Sequence, residues 1–159
     1  MLKEFVEKDC CLFIEKAENW QEAIRISCQP LVKNKIADEA YADELIENVN
    51  THGPYIVLIP GVAMPHSVEG SGHVKKTAIS FMKVEEPVHF DPNDPEKDAV
   101  LFFTLAAADS EEHLKNMGRL CTMLSNEDLL EDLFKVTCAD DLLQLHEKYH
   151  DQLLAEEES

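Results

Sequence analysis

The sequence predicts an α/β protein: a three-layer α/β/α sandwich with a mixed β-sheet of about five strands flanked by helices. Three observations predict it. Helical apolar spacing runs through residues 20–50 and again from 110 towards 154. Between them lie short apolar runs rich in β-branched residues, bounded by Gly and Pro. Some connections between those runs are too short to hold a crossover helix, so the sheet must contain antiparallel as well as parallel pairs. Helices before and after buried strands then pack as layers on the sheet.

The elements follow in order. Asn19-Trp20-Gln21-Glu22 is a capping-box-like start, with Asn19 as N-cap and Glu22 three residues on. Trp20, Ala23, Ile24, Cys28 and Leu31 recur at helical spacing and predict a helix over 20–34. Ala40, Tyr41, Leu45, Ile46 and Val49 share one face of a second helix over 37–50, which His52-Gly53-Pro54 ends. Tyr55-Ile56-Val57-Leu58-Ile59 reads as a buried strand. Pro60-Gly61 turns the chain into a short second piece, Val62-Ala63-Met64. Ser67 to Gly72 is a polar, glycine-bearing loop. Thr77–Val84 and Val100–Ala106 are further strands, with three prolines marking a loop over Pro87–Pro95. Ser110 is expected to cap a helix with Glu111 and Glu112 in its first turn and Leu114, Met117, Leu120, Cys121 and Leu124 on its apolar stripe. Ser125-Asn126-Glu127-Asp128 restarts a helix, and the last one runs from Asp140 to about Leu154.

Composition limits what the protein can do. Its 159 residues are the length of one domain, taken as 1–154, before an acidic tail over 155–159 that is expected to be disordered. Fourteen Lys+Arg against 32 Asp+Glu give a net charge of −18. That balance argues against nucleic acid, whose phosphates need cationic side chains, and against docking on anionic lipid. The first eight residues, Met1-Leu2-Lys3-Glu4-Phe5-Val6-Glu7-Lys8, hold no apolar signal segment, and no apolar run reaches the ~18 residues of a membrane helix. Five cysteines without C-x-x-C spacing suit reduced, buried thiols and a cytoplasmic location.

The informative segment is Gly61-Val62-Ala63-Met64-Pro65-His66. A titratable side chain follows an apolar strand directly and opens onto a loop, where scaffold-fixed reactive groups tend to sit. Pro65 fixes its own φ and restricts Met64, so the backbone aiming His66 is stiff. A neutral imidazole can act as a base, a metal ligand or a nucleophile toward phosphorus; a surface or capping histidine is the plain alternative. From Tyr55 to Val84 one acid, Glu69, faces three lysines, Lys75, Lys76 and Lys83, a net of +2 within a strongly acidic chain. Such a patch attracts anions, although Lys75-Lys76 also reads as a solvated strand entry. With Ser110 as cap, His113 falls at the third helical position, where free N–H groups and the dipole favour phosphate. His146 and His150 have metal-binding i, i+4 spacing but lack an H-E-x-x-H motif.

These residues are familiar together. His52-Gly53-Pro54-Tyr55, Pro60-Gly61-Val62-Ala63-Met64-Pro65-His66 and Lys75-Lys76-Thr77 resemble the EIIA component of the phosphoenolpyruvate-dependent sugar phosphotransferase system (PTS), of the mannitol/fructose fold class. The H-G-P-Y and P-G-x-A-M-P-H strings are most like the ascorbate-specific branch. Asn19-Trp20-Gln21-Glu22-Ala23 and Thr104-Leu105-Ala106-Ala107-Ala108-Asp109 extend the similarity over nearly the whole chain. The resemblance implies a phosphocarrier. His66 accepts a phosphoryl group from HPr and passes it to a cysteine of EIIB, the membrane EIIC being reached only indirectly. The family's second active-site histidine falls on His113, which steadies the phosphoryl oxygens. The resemblance implies no metal and no organic cofactor, and leaves a homodimer open. An apolar collar of Val62, Met64 and Val68 is expected as the shared docking surface. Mannitol-branch members carry an arginine near the end of the helix before the active strand; Asn50 stands there here, leaving phosphate stabilisation to His113, backbone amides or a lysine. Two alternatives remain: a regulatory phosphoprotein of the same fold, and a metal-dependent hydrolase using His66, His73 and His113 with Glu69 nearby.

Overall fold

A computed structural model describes residues 1–67 and 70–152. The expected Glu69 and Val68 positions and the acidic tail lie outside the described residues, as do the last two residues of the expected final helix. Five strands form one sheet: β1 (Cys11–Ile14), β2 (Val57–Ile59), β3 (Gly61–Ala63), β4 (Ala78–His89) and β5 (Asp98–Ala106). Their spatial order is β1-β4-β5-β3-β2. The sheet is mixed, as the short connections require: β1/β4 and β3/β5 are parallel, β2/β3 and β4/β5 antiparallel.

Side-chain alternation divides the sheet into two cores. Met82, Val84, Phe102 and Ala106 pack on the face covered by α2 (Trp20–Lys33) and α3 (Ala40–His52). Phe81, Leu101, Phe103 and Leu105 pack on the other face. That face is covered by α1 (Leu2–Glu7), α4 (Ser110–Ser125), α5 (Glu127–Leu133) and α6 (Ala139–Lys148). This is the three-layer arrangement, and it follows from the period of two along each strand. The capping box at α2 forms, with Asn19 Oδ1 accepting from Glu22 N at 2.8 Å. Between the layers, Thr104 Oγ1 donates to Ser27 Oγ at 2.9 Å and Ser80 Oγ donates to Ser27 O at 2.9 Å, so the buried hydroxyls of β4 and β5 are satisfied by α2.

The structure departs from the expectations at five points. Helix α1 and strand β1 are too short to show a period, and they appear because Leu2 and Phe5 bury against β4 and β5. Strand β2 begins at Val57, not Tyr55. Strand β4 continues through Pro87 to His89, where a loop was expected. Val88 and His89 pair with Ala99 and Asp98, and the register shifts between Lys83 and Val88, so Pro87 sits at an irregularity that tolerates its missing N–H. Lys83 leaves the basic patch: it is 4% exposed, and its Nζ donates to Val136 O at 3.0 Å. Not all thiols are buried either; all five cysteines are free, and Cys121 and Cys138 are exposed.

Gly61 takes the tight turn between β2 and β3 at φ +90°, with a would-be Cβ 2.8 Å from the Phe134 ring. Gly61→Ala is expected to cost about 1–3 kcal/mol of stability through backbone strain alone. A urea titration should show a lower midpoint at unchanged slope; an unmoved midpoint would mean that the ring and backbone absorb the methyl.

Candidate functional site

The site forms where two neighbouring strands end together. Strands β3 and β5 run parallel, with Val62 opposite Leu101 and Ala63 opposite Phe102. Their carboxyl ends therefore point the same way, the place where open α/β sheets carry ligands. Three residues beyond β3 comes His66; beyond β5 the chain turns through Ala107–Asp109 into α4, which carries His113. Both line one cleft of about 660 Å³, together with Tyr41, Ser67, Ser110 and Leu114. A second cavity, about 700 Å³, lies between α1, the start of β4 and α4 and is lined by no histidine.

The orientation of His66 is set by its own backbone. Its Nδ1 lies 2.6 Å from Met64 O. A carbonyl only accepts, so Nδ1 carries the proton, and in the neutral ring Nε2 keeps its lone pair. The Tyr55 ring meets the imidazole edge-on at 5.1 Å and 86°. Upstream, Met64 N donates to Ile56 O at 2.8 Å, and Leu105 N donates to Pro65 O at 2.9 Å, fixing the strand end to β5.

His113 is placed by the loop before α4. Thr77 Oγ1 accepts from Ala108 N at 2.9 Å and Asp109 N at 2.8 Å, tying that loop to the start of β4. Asp109, not Ser110, is the N-cap; its carboxylate accepts from Glu111 N and Glu112 N. His113 is thus the fourth helical residue, and its own N–H already donates to Asp109 O at 2.9 Å. Its contribution to the site therefore comes from the ring and not from a free backbone amide. Burial, and then the nearby His66, push the His113 pKa below its ordinary 6.5, so the ring is neutral at neutral pH. Its Nδ1 is buried and finds no hydrogen-bond partner among the described residues. A bare ring nitrogen is cheaper to leave unpaired than an N–H, so the proton belongs on Nε2.

Two of the three residues of the expected apolar collar are not at the surface. Val62 is 0% and Met64 2% exposed, both inside the core beneath the sheet. The exposed apolar side chain at the cleft is Leu114, 74% accessible. Asn50 is exposed on α3, and no lysine or arginine lines the cleft among the described residues.

His73 is drawn elsewhere. Its Nδ1 lies 3.0 Å from Asp38 Oδ2, and Asp38 N donates to His73 O at 2.9 Å. Val74 bridges Ala37, and Lys75 N donates to Ile36 O at 2.8 Å, so the returning loop is strapped to the α2–α3 junction. Among the described residues no three His, Cys, Asp or Glu side chains are grouped to hold a metal ion, and His66, His73 and His113 do not converge. The His73–Asp38 contact raises the His73 pKa above 6.5 and lowers that of Asp38 below 3.8. The raised histidine stabilises the strap fully below about pH 6.5 and loses this as pH rises through its folded pKa; the lowered carboxylate contributes above about pH 4 and loses this as pH falls through its own. The strap is thus complete between those limits and weakens on the alkaline side. An NMR titration should give His73 a midpoint above 6.5, and Asp38→Asn should bring it back; equal midpoints in both proteins would dissolve the pairing.

The sequence reading missed the residues that hold the site together: Tyr41, Tyr55, Asn48 and Thr77. The expected strand end at Met64-Pro65-His66 and the α4 start are where it placed them to within a residue or two.

Comparison with known proteins gives the fold a setting. The family model described as "Phosphoenolpyruvate-dependent sugar phosphotransferase system, EIIA 2" matches residues 4–149. The mannitol-specific cryptic phosphotransferase enzyme IIA component of Escherichia coli (strain K12) is 31% identical over 144 residues, 91% of this chain and 96% of that protein. The ascorbate-specific PTS system EIIA component of Escherichia coli (strain K12) is 32% identical over 133 residues, 82% of this chain and 84% of that one. Among solved structures, the complex of enzyme IIAMTL and phosphorylated enzyme IIBMTL from Escherichia coli contains a chain with TM-score 0.73 and 27% identity, covering 86% of this chain and 93% of its own. Among the described residues no helix is long and apolar enough to cross a membrane. Family match, relatives and fold span both strand ends and both cleft histidines: the chain belongs to the EIIA 2 family of the phosphoenolpyruvate-dependent sugar phosphotransferase system, whose members are phosphotransferases.

Proposed function

We infer that the protein is a phosphocarrier that takes a phosphoryl group from HPr onto His66 Nε2 and hands it to an EIIB cysteine during uptake of ascorbate or a related sugar acid or pentitol. One observation carries the assignment: the Nδ1 proton of His66 is committed to Met64 O at 2.6 Å, which leaves Nε2 as the basic nitrogen of a ring that lines the cleft.

The chemistry follows from that tautomer. The Nε2 lone pair attacks phosphorus of phospho-HPr; an N–P bond forms on His66 as the N–P bond to the donor imidazole breaks. The bond from Nδ1–H to Met64 O disperses the positive charge that His66 acquires. Transfer then needs positioning and stabilisation of the three equatorial oxygens. His113 Nε2–H is a donor on the cleft, which Ser110, the first residue of α4, also lines. The incoming negative charge favours imidazolium and so opposes the effect that lowers the His113 pKa. A cysteine thiolate next attacks phosphorus from solvent, the S–P bond forms, the N–P bond breaks, and His66 returns neutral.

EIIB as acceptor is supported by the solved complex named above, in which a relative is paired with its phosphorylated IIB. Relatives named for mannitol and for ascorbate are about equally similar, and the H-G-P-Y and P-G-x-A-M-P-H strings favour the second. A single carrier domain over 1–154 working in the cytoplasm is part of the same reading. Its test is the intact mass after incubation with phosphoenolpyruvate, Enzyme I and HPr, then with ascorbate-type and mannitol-type EIIB in turn. One acid-labile phosphoryl group, discharged faster to the ascorbate-type EIIB, is expected. No label with partners active on a control protein would refute the carrier reading, and a label that no EIIB removes would point to the regulatory alternative.

A further inference from the structure

The short backbone segment that carries His66 is held from two sides by phenol hydroxyls. Tyr55, half-buried, donates its hydroxyl proton to His66 O at 2.6 Å. The Asn48 side chain, from α3, lies beside the same hydroxyl. One peptide further on, the backbone of Ser67 lies beside the hydroxyl of Tyr41. Tyr41 is 1% exposed and passes its own proton to Leu105 O at 2.6 Å. Leu105 in turn donates to Pro65 O at 2.9 Å. Carbonyls 65 and 66 are therefore tied to β5 and to the segment before β2, and the backbone at 67 lies against α3 at Tyr41.

These ties act on the torsions that matter. The ring bond from His66 Nδ1 to Met64 O spans Pro65, whose φ the ring closure fixes. The main-chain freedom left between Met64 O and the ring is ψ of Pro65 and φ of His66, and both also move His66 O. Rotation about either of them carries the imidazole away from Met64 O, releases the Nδ1 proton and swings Nε2 off the cleft. The hydrogen bonds of the two phenols restrain those rotations.

We propose that Tyr55 and Tyr41 are positioning residues for phosphoryl transfer, Tyr55 holding His66 O directly and Tyr41 holding Leu105, which pins Pro65 O, so that Nδ1 stays on Met64 O and Nε2 stays aimed into the cleft. The inference rests on the reading of His66 as phosphoryl acceptor. Neither hydroxyl contacts the reacting nitrogen; each acts through the main chain.

Tyr55→Phe in the full chain tests it, because one oxygen is removed and the edge-on ring contact is kept. Phosphorylation by phospho-HPr is followed over a range of HPr concentrations, and the His66 tautomer is read from ring nitrogen shifts by NMR. The expected result is a kcat about tenfold lower, the scale of a small misplacement of a reacting group, with KM for HPr little changed. The Nδ1–H tautomer of His66, dominant in the wild type, should give way in part to Nε2–H. Tyr41→Phe should shift the tautomer the same way, measured below its melting temperature because its hydroxyl is buried. Wild-type tautomer and kcat in Tyr55→Phe overturn the proposal, as does a loss confined to KM. If the wild type is never labelled, the acceptor reading falls by that result alone, and the tautomer measurement, which needs no phosphate, still decides the clamp.

Discussion

His66→Ala is expected to give a folded protein that takes no phosphoryl group. The loss should be complete, because no second nitrogen on the cleft has a free lone pair in place of Nε2: the His113 proton sits there on Nε2, and its bare Nδ1 is buried. The fold should survive, since the ring makes one local hydrogen bond, to Met64 O, and the main-chain ties at Tyr55 and Leu105 do not involve the side chain. Losing that bond costs about 1 kcal/mol, small against the burial in two cores. Intact mass and a thermal melt, run together, check both halves. Labelling of His66→Ala by phospho-HPr would sink the assignment; a collapsed melt would turn the residue into a structural one.

His113→Ala is expected to keep the acceptor and slow it. The variant should still gain one phosphoryl group, at a rate lower by about 100-fold, the usual loss when one pre-aligned donor to a developing anion is removed. The effect is large for a physical reason. No lysine or arginine lines the cleft among the described residues, so no cation shares the load. The ring is also positioned before reaction, by Thr77 holding the loop that starts α4. Removing a side chain whose Nδ1 is already unpaired leaves stability close to unchanged. Rapid-quench measurement of the first turnover separates this from a docking defect, and an unaltered rate would make His113 a bystander.

The layered fold was legible because its signals are local. The Asn19–Glu22 cap, the apolar faces of α2 and α3, and the Pro60-Gly61 turn are each written within a few residues, and all appear in the structure. What was not legible depends on distant partners. The four residues of β1 become a strand by lying parallel to Phe81–Val84. Whether Asp109 or Ser110 caps α4 is not decided by residue type, since both are good caps; Thr77 settles the chain path from 31 residues away. Two members of the expected collar, Val62 and Met64, do not reach solvent because both side chains point into one covered core, an outcome set by the helices packed there and not by the residue types. The site was half legible. His66 stood out through its motif and His113 through its helix position, whereas the two phenols bond main-chain groups 11 and 64 residues away, so neither the H-G-P-Y string that holds Tyr55 nor the helical spacing that places Tyr41 shows what they hold.

The strap at Ala37–Val74 has a consequence for the length of the loop before it. Upstream, the chain is anchored as far as His66; downstream, His73, Val74 and Lys75 are fastened again to residues 36–38. A change of length at residues 70–72, between those anchors, is therefore expected to leave His66 and the sheet in place. This stretch borders the cleft through Gly70, Ser71 and Gly72. If the cleft works as proposed, loop length there sets which partner protein it admits, while His66 and its supports stay where the two anchors hold them.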